Sequence, residues 1–221
     1  MKSRLSVLLV DDHAIVRTGL KQLFSMTEGI GLVTEADSGE RAYGLFVDVK
    51  PDLVLMDLSL PGSGGLHTIR KMITRDERAK ILAFSIHDEL VYVTRVMEAG
   101  AKGYLTKSCA TEMLTEAITR VARGEIFIEP AIAQKIAVDR FSGGSGSLLS
   151  ELSSREFEVF CLIARGYTTQ ESAHELCLSI KTVANYCTQI KAKLNIKTTA
   201  ELTRLAYRYG VFRDGVFDQR N

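Results

Sequence analysis

Strand-sized apolar runs alternate with helical patterns through the first 125 residues, and this alternation constrains the fold more than any other feature. Near-continuous Val, Leu and Ile character is typical of strands that are covered on both faces. The alternation therefore predicts an α/β fold built on a doubly wound, five-stranded parallel sheet. The predicted strands are residues 6–10, 32–36, 52–56, 80–84 and 103–106.

The chain changes character at residues 142–147, SGGSGS, a stretch without side chains that could build a core. This composition predicts a flexible tether. A helix over about 130–141, with Pro130 in its first turn, is expected to lead into it. We therefore expect a first domain at 1–125, a linker at 126–149 and a second domain at 150–221.

Helix N-cap patterns organise the second, all-α domain. Three S/T-x-x-E patterns are read as helix starts, since in this spacing the hydroxyl accepts the third residue's N–H while the carboxylate reaches back. With Ser179 as a fourth N-cap, helices are predicted to begin near 154, 169, 180 and 199, the middle two joined by the tight connection of a helix-turn-helix. The three pairs are Ser153 with Glu156, Thr168 with Glu171, and Thr198 with Glu201.

Polar side chains follow the predicted strands: Asp11 and Asp12 the first, Asp57 the third, Ser85 the fourth and Lys107 the fifth. An Asp after a strand is often only a turn residue, but the carboxyl ends of parallel strands meet at one edge of a sheet, where these five side chains would converge. Three carboxylates repel one another unless a cation binds between them, and oxygen ligands favour Mg²⁺. A nucleophilic carboxylate, an ammonium and a hydroxyl together predict phosphoryl transfer.

The helix predicted from 180 to 194 has two faces. Val183, Cys187, Ile190 and Leu194 form an apolar stripe, and the opposite stripe mixes small, amide, hydroxyl and basic groups. That stripe suits a helix in the major groove of DNA, although a solvated face of a protein–protein module remains the alternative. The stripe comprises Lys181, Ala184, Asn185, Thr188 and Lys191.

Charge is distributed unevenly along the chain. Lys and Arg number 28 against 27 Asp and Glu, yet residues 179–213 hold seven bases and one acid. A basic segment of this kind favours an anionic partner.

The chain lacks an apolar run of the ~18–20 residues that a membrane helix needs. Its four cysteines show no C-x-x-C spacing, so we expect a cytoplasmic protein with reduced thiols.

The segments VLLVDDH, LVLMDLSLPG, ILAFS and GAKGYLTK, over roughly residues 5–125, resemble the receiver domain of bacterial two-component response regulators. The resemblance implies a flavodoxin-like fold in which Asp57 accepts a phosphoryl group from a histidine kinase or phosphotransfer domain. Lys107 and Ser85 would contact that group, and Tyr104 would rotate inward as Ser85 moves. Ser108 stands where many receivers have Pro, so no cis peptide is implied. The implied Mg²⁺ ligands are Asp11, Asp12, Asp57 and the Ser59 backbone carbonyl.

The segments LSSREFEVFCLIARGY, LSIKTVANY and IKAKLNIKTTAEL, over roughly 150–209, resemble the LuxR-type helix-turn-helix of the NarL/FixJ family. RTG at 17–19, ADSGE at 36–40 and ELTRLAYRYG at 201–210 are most similar to its GacA/UvrY branch. The resemblance implies a transcription regulator that binds an inverted repeat as a homodimer. Ser172, where the family usually has Ile, is a departure. The implied contacts are Lys181, Thr182, Ala184, Asn185, Thr188, Lys191 and Lys193 to DNA, and Leu202, Leu205 and Ala206 between protomers.

Two other classes of function remain as alternatives. An aspartyl-phosphate phosphatase would need a second Asp two residues after Asp57, where Ser59 stands. A flavodoxin-like redox protein would bind a flavin, whose phosphate Asp11 and Asp12 would repel. An enzyme is therefore not expected beyond slow hydrolysis of the protein's own acyl phosphate. The other alternative is a phosphorylation-controlled adaptor whose helical domain binds a protein instead of DNA.

Overall fold

The structure, a computed structural model, describes residues 4–62, 64–141 and 148–211. Its contacts divide the chain into two compact units. The first is built on residues up to Ala133 and the second on residues from Gln134 onward, except that Glu89–Tyr92 group with the second. Within the described ranges no helix has the length and apolar character to cross a membrane.

The first unit is a parallel sheet with the strand order β2-β1-β3-β4-β5-β6. The five predicted strands are present, which confirms the doubly wound fold, and a sixth, two-residue strand was not predicted. β2 begins two residues earlier than expected, because Ile30 is buried and pairs with Leu5. The strands are β1 (Leu5–Val10), β2 (Ile30–Ala36), β3 (Leu53–Met56), β4 (Ile81–Ser85), β5 (Gly103–Thr106) and β6 (Phe127–Ile128).

Helices follow the strands and bury the central ones, since every residue of β3, β4 and β5 is buried. The strand order reverses between β1 and β3, and in open parallel sheets a crevice forms at the carboxyl ends beside such a reversal. Val10 pairs with Met56, so Asp11 and Asp57 leave the sheet side by side. The helices are α1 (Ala14–Met26), α2 (Gly39–Val49), α3 (Gly65–Arg75), α4 (Leu90–Glu98), α5 (Thr111–Ala122) and α6 (Pro130–Phe141).

The second unit is helical, and each helix begins at the residue that its N-cap predicts. All three capping boxes are formed in both directions, and the Ser179 hydroxyl accepts the Thr182 N–H at 3.0 Å. Gly166, at a φ of +91°, follows the first helix in the left-handed conformation that glycine favours. The predicted tether at 142–147 lies outside the described residues. After a short 3₁₀ turn at Leu148–Glu151 come α7 (Ser154–Ala164), α8 (Thr169–Glu175), α9 (Ile180–Lys193) and α10 (Thr199–Arg208).

The core of the second unit fixes which face of α9 reaches solvent. Val183, Ile190 and Leu194, from the predicted apolar stripe, are buried, and Cys187 is half-buried. They pack in one cluster with Phe157 and other apolar residues of the bundle. The opposite stripe of α9 is consequently the one that faces solvent.

Candidate functional site

The carboxylates that follow β1 and β3 meet at one point, as the strand ends predict. Ligand atoms of Asp11, Asp12, His13 and Asp57 lie within 4.8 Å of one another. The side chains of Asp11 and Asp57 are only 1% exposed. Buried carboxylates this close are unfavourable without a compensating positive charge.

Lys107 supplies that charge from the end of β5. Its Nζ lies 2.7 Å from Asp11 Oδ2 and 2.7 Å from Asp57 Oδ2. Its backbone N–H donates to the Ser85 carbonyl oxygen at 2.7 Å, which fixes the lysine at the edge of the sheet. The ammonium group therefore bridges the carboxylates from β1 and β3.

The pKa values of Asp57 and Lys107 are both shifted, by burial and by the charges that surround them. Burial raises the pKa of Asp57, although the Lys107 ammonium and the Ser59 N–H act in the opposite direction. Burial alone would lower the pKa of Lys107, but hydrogen bonds and charges of Asp11 and Asp57 together outweigh it and raise that pKa. Lys107 thus stays protonated beside two carboxylates.

The donor set fits a divalent cation. Asp12 Oδ1 is buried and accepts no hydrogen bond from the described residues, although it lies 2.8 Å from His13 Nδ1. Asp11 Oδ1, by contrast, accepts the His13 N–H at 2.9 Å. Clustered carboxylate oxygens are the ligands that Mg²⁺ prefers. His13 was not predicted to belong to this cluster, although its position directly after Asp12 in the sequence could have indicated it.

The loop after β3 is held against Asp57 by backbone contacts. The Ser59 N–H donates to Asp57 Oδ1 at 3.0 Å, which brings the Ser59 backbone beside the carboxylate. A Cβ on Gly65 would overlap the Asp57 carbonyl oxygen and approach Leu58 Cα at 2.6 Å. Only glycine fits at position 65 with this loop unchanged, a requirement that was not predicted from the sequence.

Ser85 and Tyr104 are both buried next to the site. The Tyr104 hydroxyl donates to the His87 carbonyl oxygen at 2.8 Å, and Ser85 Oγ accepts the His87 N–H at 3.2 Å. A buried tyrosine needs a partner for its hydroxyl, and His87 provides it. Tyr104 is 0% exposed. The ring therefore already occupies the inward position that the resemblance assigns to it after Ser85 has moved.

Arg17, the first residue of the RTG segment at 17–19, is a further residue of the site. Its Nη1 donates to the Asp11 carbonyl oxygen at 2.7 Å, and its Nε lies 3.7 Å from Glu35 Oε2. These contacts position the backbone turn that carries both aspartates. No spacing rule could have predicted them, because they join α1 to β2 and to the loop after β1.

In the second unit, α9 presents the predicted polar stripe. Lys181, Ala184, Asn185 and Thr188 are exposed and Lys191 is half-buried. The Thr188 hydroxyl donates to the Ala184 carbonyl oxygen at 3.0 Å, within the same helix. Thr182 has a local role, since its hydroxyl lies 2.7 Å from Ser179 Oγ at the helix start. The exposed amide and ammonium groups remain available for an outside ligand.

Lys193 does not lie with that stripe. Its Nζ is 2.6 Å from Glu156 Oε2 and 3.3 Å from the Glu151 carbonyl oxygen. The same Glu156 oxygen accepts the Ser153 N–H at 2.7 Å. Lys193 therefore joins the end of α9 to the start of α7 in this structure, and its expected contact with DNA stays a prediction.

Of the three residues expected to form a protomer contact on α10, two are buried within their own unit. Leu202 and Ala206 are 1% and 0% exposed and belong to the core of their own unit, while Leu205 is half-buried. An amphipathic helix buries its apolar stripe against the nearest apolar surface, here the bundle itself. Leu202 and Ala206 are thus not surface residues, and Arg204, Tyr207 and Arg208 are exposed instead.

Comparisons with known proteins find relatives over both units. Residues 7–119 match the family described as response regulator receiver domain, and residues 150–206 match bacterial regulatory proteins of the luxR family. Response regulator GacA of Pseudomonas aeruginosa is 39% identical over 208 residues, covering 94% of this chain and 97% of that protein. Response regulator UvrY of Escherichia coli is 38% identical over 208 residues, covering 94% and 95%. The crystal structure of a LuxR-family two-component response regulator from Aurantimonas sp. SI85-9A1 is 40% identical, has a TM-score of 0.61, and covers 63% of this chain and 99% of that chain.

Proposed function

This chain belongs to the bacterial response regulators that join a receiver domain to a LuxR-type DNA-binding domain, and from that premise we propose that phosphorylation of Asp57 controls its binding to DNA. The resemblance to the GacA/UvrY branch is confirmed by relatives at 38–39% identity. The protein is accordingly a transcription regulator and not a classical enzyme. We assign residues 1–125 to the receiver, 126–149 to the linker and 150–221 to the DNA-binding domain.

The observation that carries the proposal is the bridge that Lys107 makes at 2.7 Å between Asp11 and Asp57. In the proposed reaction an Asp57 oxygen attacks the phosphorus of a phosphohistidine, the P–N bond breaks, and the imidazole leaves with its electron pair. Lys107 then pairs with the phosphoryl oxygens in place of the carboxylate. Ser85, buried at the end of β4, donates its hydroxyl to the same group. Water later hydrolyses the acyl phosphate slowly.

Asp11, Asp12, Asp57 and the Ser59 carbonyl oxygen are proposed to hold Mg²⁺, which when bound neutralises charge on the phosphoryl group. The position of Asp12 Oδ1, buried within the carboxylate cluster and accepting no hydrogen bond from the described residues, supports this assignment. Asp11 is also engaged by the His13 N–H and Lys107, so its contact with the ion is expected to run mainly through water. Tyr104, already buried in the inward position, is proposed to stay there while Ser85 moves toward the phosphoryl group.

Labelling with acetyl phosphate tests the acceptor. Wild-type protein should take up one phosphoryl group in the presence of Mg²⁺, located by mass spectrometry on the peptide that contains Asp57, and Asp57→Asn should take up none. Asp52→Asn is the matched control, because Asp52 lies on the same loop-strand segment but is bound to Ser6 at the opposite end of β3. Labelling that persists in Asp57→Asn would move the acceptor elsewhere.

For the second domain we propose that α9 lies in the major groove of an inverted-repeat DNA site bound by a homodimer. Asn185 suits bidentate pairing with adenine, Ala184 and Thr188 leave room for a thymine methyl, and Lys181 and Lys191 reach phosphates. The exposure of this stripe supports the proposal. Affinity should fall steeply with salt, log K decreasing by roughly 0.9 per neutralised phosphate.

Two variants distinguish the proposed contacts. Lys181→Ala should weaken binding similarly on all DNA sequences, whereas Asn185→Ala should relax preference at one base pair by ~1–3 kcal/mol. Titrations of both variants against a panel of single-base changes measure the difference. Equal losses on every sequence for both variants would refute the assignment of the stripe, and a wild-type domain without DNA affinity at low salt would favour the protein adaptor.

A further inference from the structure

The short strand β6 is extended by a side chain. Phe127 and Ile128 pair with Gly103 and Tyr104 of β5, and the Glu129 N–H donates to the Tyr104 carbonyl oxygen at 3.0 Å. The chain then turns into α6, so no β6 carbonyl remains for the next N–H of β5. Glu129 Oε2 takes that place and accepts the Thr106 backbone N–H at 2.8 Å.

The same carboxylate oxygen also binds the side chain of Thr106. Thr106 Oγ1 donates to Glu129 Oε2 at 2.8 Å and lies 2.9 Å from Ser108 Oγ. Thr106 is buried, and a buried N–H or hydroxyl without a partner would cost about 1–3 kcal/mol. Glu129 is therefore the acceptor that allows β5 to end in this conformation.

The residue held in this way comes directly before Lys107. On one side the Lys107 N–H donates to the Ser85 carbonyl oxygen at 2.7 Å, and on the other the Thr106 N–H donates to Glu129. The two peptide groups that flank Thr106 are thus held, one by Glu129 directly after β6 and the other by Ser85 of β4. The position of the Lys107 ammonium group, bound to Asp11 and Asp57, depends on this stretch of backbone.

Glu129 also begins α6. The Ala133 N–H donates to the Glu129 carbonyl oxygen at 2.9 Å, which makes Glu129 the first acceptor of this helix. Ile132, in the first turn, is buried at 1% exposure. Glu129 consequently connects β5, which contains Tyr104 and ends directly before Lys107, to the first turn of α6. This helix continues along the chain toward the second domain.

We propose that Glu129 is a positioning residue that sets Lys107 through Thr106 and transmits the state of Asp57 to the first turn of α6. The proposal rests on the phosphorylation of Asp57 described above. When Lys107 exchanges the Asp57 carboxylate for a phosphoryl group, the end of β5 moves with it. The two hydrogen bonds from Thr106 pass this displacement to Glu129, and so to the backbone that starts α6.

Hydrogen exchange of the full-length protein, followed by mass spectrometry of peptides spanning 127–141, tests the coupling. Beryllofluoride with Mg²⁺ is the phosphoryl mimic, and its bound ¹⁹F resonance reports occupancy of the Asp57 site. In wild-type protein the mimic should change exchange in the first turn of α6 by about fivefold or more, the lower end of ordinary coupling free energies. Glu129→Ala should reduce that change to less than about twofold while the site still fills.

Two further variants separate coupling from a general loss of structure. Glu129→Gln keeps a side-chain oxygen that can accept both bonds from Thr106, so it should restore most of the change. Glu125→Gln is the matched control, since Glu125 bonds the exposed Arg120 at 2.9 Å and not β5. If Glu129→Ala fails to fold, Glu129→Gln still decides the matter: a response below about twofold with the site filled would overturn the proposal.

The outcomes also separate this inference from the proposed function. An unchanged α6 response in Glu129→Ala, with the mimic bound, would overturn the role of Glu129 alone. The absence of any α6 response in wild-type protein, with the mimic bound, would do the same. Failure of beryllofluoride and Mg²⁺ to occupy the wild-type site would instead overturn the phosphorylation of Asp57 itself.

Discussion

Replacing Lys107 by Met tests whether its ammonium group holds two buried carboxylates together. Lys107 Nζ lies 2.7 Å from oxygens of both Asp11 and Asp57, whose side chains are 1% exposed. Methionine keeps much of the length of the side chain but removes the charge. Lys21→Met is the matched control, because Lys21 makes an equally short 2.6 Å contact with Glu35 where both side chains are far more exposed.

The expected loss follows from the burial of the carboxylates. Removing one partner of a buried ion pair costs about 3–5 kcal/mol in free energy of unfolding. Protonation of one carboxylate limits this cost, because a neutral carboxyl group needs no compensating charge. For an Asp whose pKa is near 3.9 in the unfolded chain, the free energy of protonation is about 4 kcal/mol at pH 7 and about 1.5 kcal/mol at pH 5. The folded variant then binds more protons than its unfolded chain, so its stability falls as pH rises. We expect a loss of about 4 kcal/mol at pH 7 and about 2 kcal/mol at pH 5.

Urea unfolding of the receiver domain in magnesium-free buffer, at both pH values, measures these losses. The control Lys21→Met should lose less than about 1 kcal/mol at either pH, as an exposed ion pair does. Mg²⁺ should recover part of the stability of Lys107→Met, since the cation takes over compensation of the carboxylates. A loss in Lys107→Met that matches the control and does not change with pH would refute the electrostatic account of the site.

Three other substitutions test separate parts of the structure. Glu156→Gln should lose about 2 kcal/mol of free energy of unfolding at pH 7. Lys193 and the Ser153 N–H outweigh burial and lower the Glu156 pKa from its usual 4.5, so the difference in stability from wild type, measured by urea melts, should shrink as pH falls below 4.5. Ser172→Ala should raise the free energy of unfolding by about 1 kcal/mol, because Ser172 Oγ is buried with no partner in the part of the chain that is described; an unchanged or lower stability would contradict this. Gly65→Ala should slow labelling by acetyl phosphate about tenfold or more, since the new Cβ displaces the Asp57 loop, and an unchanged rate would show that the loop tolerates the displacement.

Local chemistry explains why so much of the fold could be predicted. Capping boxes are defined within four residues, so Ser153, Thr168 and Thr198 fixed the starts of α7, α8 and α10 without any knowledge of packing. The acidic site was predictable for a different reason. Parallel strands place their carboxyl ends at one edge, so Asp57 and Lys107 had to approach Asp11 once the strands were known.

The failures concern features that depend on partners far away in the chain. β6 has two residues, which is too short for periodicity to indicate a strand, and Glu129 gains its role only through β5. The 2.6 Å contact between Lys193 and Glu156 was not predicted either, because packing between α7 and α9 sets it. For Leu202, apolar character led to the prediction of a protomer contact, but it could not say whether another protomer or its own bundle covers the side chain.

The most direct test of the account is the DNA affinity of the full-length protein with and without an occupied Asp57 site. Fluorescence polarisation would measure binding to a site selected by the phosphorylated protein, at fixed salt, with and without beryllofluoride and Mg²⁺. We predict that the mimic tightens wild-type binding by about tenfold or more, a coupling of roughly 1.4 kcal/mol, and leaves Asp57→Asn unchanged. Equal affinity of wild-type protein in both states, or an equal gain in Asp57→Asn, would contradict control of DNA binding by phosphorylation of Asp57.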